Sequence, residues 1–99
     1  MIIVRNVFRL KFGAAKEAKK LWAEGQALTK KLGGQPQRAL LDVTGPFYTF
    51  VMEATYASIT AWEESMHKMI GVPEWERWYA RFSPLVESGY REIFSEVET

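Results

Sequence analysis

The chain contains no cysteine. That excludes disulfides, thiolate nucleophiles and cysteine metal sites, and it fits a reducing cytoplasm. No apolar run approaches the roughly 20 residues that a membrane helix requires. The opening MIIVRNVFRLKF lacks the apolar core of a signal peptide, since Arg5 interrupts it and the residues alternate thereafter. Neither sign of charge dominates: 13 Lys and Arg stand against 12 Asp and Glu, scattered along the chain. The basic footprint of a nucleic-acid binder is missing. There is also no metal-ligand cluster, no glycine-rich phosphate loop and no nucleophile triad. These absences predict a cytoplasmic chain with no nucleic-acid partner, no membrane partner and no metal.

Aromatic residues are plentiful. They make up 14% of a chain of 99 residues, which is long enough for one domain spanning residues 1–99. So short a chain buries a modest share of its surface, so the aromatic surplus must serve a core, an interface or a pocket. Met1 to Phe12 alternates with period two and reads as a strand, with Ile2, Val4, Asn6, Phe8, Leu10 and Phe12 on one face. The other face carries Ile3, Arg5, Val7, Arg9 and Lys11. Ala14 to Leu32 reads as a helix, because Ala18, Leu21, Trp22, Gly25, Leu28 and Leu32 form one stripe. Lys30 and Lys31 suit the dipole at its end, and Gly33 and Gly34 stop it.

Gln37 to Val43 and Phe47 to Tyr56 read as a hairpin, closed by Thr44, Gly45 and Pro46. Ser58 is placed to cap a second helix with a stripe of Ile59, Trp62, Met66, Met69 and Ile70. Gly71 breaks that helix. Pro73 then starts a new segment, VPEWERWYARF, whose Trp75, Trp78, Tyr79 and Phe82 share one face. Ser83-Pro84 ends it, and Gly89 to Val97 alternates as a last strand. The order β-α-β-β-α-β, second helix broken, is an α+β ferredoxin-like arrangement. Both faces of its strands carry large apolar groups: Ile3, Val7, Phe47 and Val51 sit beside Arg5, Arg9 and Glu53. A single-layer sheet facing water would be more polar. The mixture predicts a homodimer through the sheet face.

The strand MIIVRNVFRLKFG, the helix AAKEAKKLWAEG directly after it and the VPEWERWY segment resemble the dimeric α/β barrel superfamily, and within it the NIPSNAP-like proteins. The resemblance implies a ferredoxin-like sandwich that pairs into a dimeric α/β barrel. The superfamily holds cofactor-free monooxygenases, haem enzymes, isomerases, stress proteins and members of unknown role, so it specifies fold more than function. No catalytic motif is matched, and no catalytic residue carries over.

The expected function is binding of a small apolar or aromatic molecule in a cavity between sheet and helices, with cofactor-free monooxygenation as the activity the resemblance suggests. The alternatives are a haem-binding or haem-degrading protein using His67, and a structural or stress-associated dimer without a ligand. Arg5 and Arg9 share a strand face about 13 Å apart and suit an anion such as a phenolate; the plainer reading pairs them with Glu53, Asp42 or Glu92. His67 is a candidate haem ligand or base, or simply an exposed helix residue. Haem-degrading members of the superfamily use an asparagine on the first strand with a tryptophan and a histidine on the second helix. Asn6, Trp62 and His67 match in type, but the spacing from Trp62 to His67 splays the two side chains. Trp75, Trp78 and Tyr79 are candidates for a pocket wall, against a role in the core. Trp78 and Tyr79, being adjacent, point about 100° apart and cannot serve one contact.

Overall fold

The computed structural model describes residues 1–98. Its elements are β1 (Ile2–Leu10), α1 (Ala15–Lys31), β2 (Arg38–Leu41), β3 (Thr49–Tyr56), α2 (Ile59–Met69), α3 (Pro73–Phe82) and β4 (Val86–Ser95), with a 3-10 turn at Ser83–Leu85 before β4. The strands form one antiparallel sheet in the order β2-β3-β1-β4. This is the ferredoxin-like α+β fold.

The helices cover the face bearing Val4, Phe8 and Leu10. Register places Ala54, Met52 and Phe50 of β3 on that same face, opposite Val4, Asn6 and Phe8. The main core joins Leu10, Phe50 and Met52 to Ala18 and Leu21 of α1 and to Trp78 and Phe82 of α3. A smaller cluster of Val4, Ala54 and Tyr56 lies where Trp62 of α2 packs. Two ion pairs, Arg81–Glu24 and Lys31–Glu74, bridge α3 and α1 at the surface. Pairs this exposed add about 0–1 kcal/mol each, so apolar packing holds α3 in place.

Local signals act as expected at α2 and α3. The Ser58 hydroxyl accepts the Ala61 N–H at 3.1 Å, a cap that contributes about 1 kcal/mol. Gly71 adopts φ +91 between the helices, a conformation that side chains resist, and Pro73 opens α3 at its first turn.

The hairpin differs from expectation. Its strands are shorter, and residues 42–48 form a loop rather than a three-residue turn. Pro46 has no N–H for a ladder, and Tyr48 has φ 60, so neither can extend a strand. Asp42 closes the loop instead: its Oδ1 accepts the Thr49 N–H at 2.8 Å. β1 stops at Leu10, which leaves Phe12 85% exposed and edge-on to Tyr48. β4 begins at Val86, earlier than expected, because β1 pairs with Val86 and Ser88 across a bulge at Arg9/Leu10.

The opposite face of the sheet has no helix over it. Val7 lies between Val51 and Tyr90, Ile3 opposite Phe94, and Leu40 beside Val51. Glu53 receives both Arg38, whose Nε donates at 2.6 Å, and Arg5, at 3.4 Å. The Arg5 contact is an ion pair without hydrogen-bond geometry, since its buried Nε has no hydrogen-bond partner.

Candidate functional site

The α2–α3 break opens a cleft of about 950 Å³ between these helices and the β1–β4 half of the sheet. Met66 of α2, Ile70 just past its end, Trp75 and Tyr79 of α3, and Phe8 of β1 supply its apolar walls. Asn6 and Arg91 stand on its sheet side. They are register partners on β1 and β4, and the Arg91 Nε–H donates to the Asn6 Oδ1 at 2.7 Å. The Arg91 guanidinium also lies over the Trp62 ring, 5.1 Å from its centroid, a cation–π arrangement. One strand pair and one helix thus fix the direction of a cation beside an apolar cleft. A second, smaller hollow of about 280 Å³ beside the loop of residues 42–48 is lined by Phe12, Leu41, Phe47 and Tyr48. Its lining includes none of the expected site residues.

The cleft brings together Asn6, Trp75, Trp78 and Tyr79 of the expected set. Their roles diverge. Trp78 belongs to the core: it is 8% exposed, stacks on Phe82 at 5.1 Å and on Trp75 at 5.0 Å, and donates its indole N–H to the Leu21 carbonyl at 2.7 Å. Tyr79, one position on, is 55% exposed and faces the cleft. Trp62 contributes indirectly, through Arg91.

Besides Trp62, three expected site residues do not lie on the cleft. Arg5 and Arg9 occupy the uncovered sheet face, where alternation from Asn6 must put them; Arg5 there pairs with Glu53. An anion held in this cleft therefore cannot be theirs. His67 is exposed on α2 and absent from the lining. Five residues along a helix turn it about 140° away from Trp62, so the pairing of Asn6, Trp62 and His67 around one haem has no geometric basis here. Arg91, in contrast, was not among the expected residues. Its signal lay in alternation: Asn6 is the one polar residue on the covered face of β1, and Arg91 is the residue that register sets beside it.

The chain is 25% identical to a NIPSNAP family protein from Agrobacterium tumefaciens, with a TM-score of 0.87 over 98% of this chain and 86% of that one. An uncharacterised NIPSNAP-like domain protein from Burkholderia xenovorans is 18% identical, with a TM-score of 0.88 over 97% and 84% of the two chains. The fold is NIPSNAP-like. A cofactor-independent oxygenase from Streptomyces nogalater shares the architecture at 16% identity, with a TM-score of 0.73 over 99% of this chain and 94% of its own. No family model matches this NIPSNAP-like chain, and no curated protein does. Among the described residues no helix is long and apolar enough to cross a membrane.

Proposed function

We propose that this chain binds a small, mostly apolar, flat molecule in the cleft between the sheet and helices α2 and α3. The observation that carries the reading is the cleft itself: about 950 Å³, within the size range of small-molecule sites, walled by aromatic and aliphatic side chains with a few polar groups among them. The fold shared with a cofactor-independent oxygenase makes oxygenation of an electron-rich aromatic the activity to test. In that reaction one atom of dioxygen enters the substrate and the other leaves as water, with the substrate supplying all four electrons.

The neutral naphthalene dye prodan tests binding directly. Its emission should shift to the blue on saturable binding, and Ile70→Asp should weaken that binding about tenfold. Ile70 is exposed at the cleft wall, so a carboxylate there leaves the core intact while removing apolar contact worth about 1.4 kcal/mol. Dye binding that is absent, or indifferent to Ile70→Asp, would rule out the cleft.

The uncovered sheet face is proposed as the contact with a second copy of the chain. Leu40, Tyr90 and Phe94 are exposed there and supply apolar area, and the excess arginine around Glu53 supplies charge. Light scattering at micromolar concentration should return twice the 11.4 kDa chain mass, and Phe94→Asp, which puts a charge on an exposed part of that face, should return the monomer. A wild-type monomer would refute the pairing.

A further inference from the structure

We infer that the ligand of this cleft is an aromatic oxyanion and that Arg91 takes its charge. The inference rests on the binding site proposed above and adds the chemical class of the ligand. It begins with a break in pattern. On the covered face of β1 the residues are Ile2, Val4, Asn6, Phe8 and Leu10, and only Asn6 is polar. Register sets it against Arg91 on β4. Polar groups thus replace apolar ones on the helix-covered face at the cleft.

Arg91 is oriented without being neutralised. Its Nε–H goes to an amide oxygen, Asn6 Oδ1, and its guanidinium carbon lies over the Trp62 indole. Both partners are uncharged. The ion pairs among the described residues are Arg5–Glu53, Arg38–Glu53, Lys31–Glu74 and Arg81–Glu24, and Arg91 enters none of them. Glu76 is the one carboxylate on the lining, and it makes no pair with Arg91. With Nε committed to Asn6, the terminal guanidinium nitrogens remain as donors. They match the two oxygens of a carboxylate, or one phenolate oxygen. Arg91 is exposed, so water solvates this edge in the free protein, and an entering anion replaces that water. The flat body of the ligand then lies along Tyr79 and Trp75.

The test compares two compounds of nearly equal shape, 2-naphthoate and 2-naphthamide, by displacement of prodan and by calorimetry. Naphthoate should bind wild-type protein about tenfold or more tightly than naphthamide, as a charge-assisted hydrogen bond implies. Arg91→Met should erase that preference and leave naphthamide unchanged. Arg91→Lys keeps the charge but loses the fork, and should restore part of the preference. Arg77→Met removes an equal charge from α3 away from the lining and should change nothing. Equal binding of the two compounds to wild-type protein overturns the inference and leaves the site standing, as does a preference that survives Arg91→Met. Failure of both compounds and of the dye to bind overturns the site, and the inference with it.

Discussion

Trp78→Ala should cost about 4 kcal/mol and leave little folded protein in the absence of a stabilising ligand. Replacing a buried aromatic by alanine costs about 3–5 kcal/mol, and whole domains have about 5–15 kcal/mol, with short chains at the low end. Trp78 meets the conditions for the upper part of that range. It stacks between Trp75 and Phe82 of its own helix, Phe82 in turn meets Phe8 and Phe50 of the sheet, and the Trp78 indole N–H holds the Leu21 carbonyl of α1. Trp78→Phe retains a ring in the stack and loses the hydrogen bond, so its cost should be nearer 1–2 kcal/mol. Urea unfolding followed by far-ultraviolet circular dichroism measures both. A Trp78→Ala protein that loses less than about 1 kcal/mol would show that the stack is not what secures α3.

The second large effect is at Gly25, in the middle of α1. Alanine is the better helix former by about 1 kcal/mol, and on that ground Gly25→Ala would stabilise. The packing reverses the sign. A Cβ at this position would lie 2.8 Å from Trp78 Cε2, against a ring that cannot yield without breaking its bond to Leu21 and its two stacks. Overpacking of this kind costs about 1–3 kcal/mol, so Gly25→Ala should be destabilising by about 1 kcal/mol net, and Gly25→Leu by about 3 kcal/mol or more. Combining Gly25→Ala with Trp78→Phe should be less harmful than the sum of the two, since the smaller ring makes room. A stabilised Gly25→Ala protein, seen as a higher urea midpoint, would refute the contact.

These two residues show what a sequence can and cannot convey. The α1 stripe contains Gly25, and the α3 stripe contains Trp78, because both follow helical period. That the glycine exists to admit the indole depends on how the two helices meet, which period does not encode. The same holds for the strands. Alternation sorts Asn6 from Arg5 and Arg91 from Glu92, yet it cannot say which set lies beneath the helices. Arg91 acquires its meaning only from pairing with Asn6 across 85 positions. The first residues of β4, Val86 to Ser88, fall before the strand expected from Gly89 onward, and they are recruited there by β1 rather than by their own propensity. Helix starts are the opposite case. Ser58 and Pro73 act within one turn of themselves, so their effects are readable directly.

The position of β1 has a consequence for how the chain is made. It is made before both of its partners, and it is central: β3 pairs with one edge, and β4 with the other, joining Ile2 to Ser95. During synthesis one edge of β1 must therefore stay open until β4 has emerged. Pairing so distant in sequence slows folding, and an open strand edge invites other chains. Arg5 and Arg9, spaced along that strand, and Lys11 just past its end place repelling charges where two nascent copies would otherwise zip together.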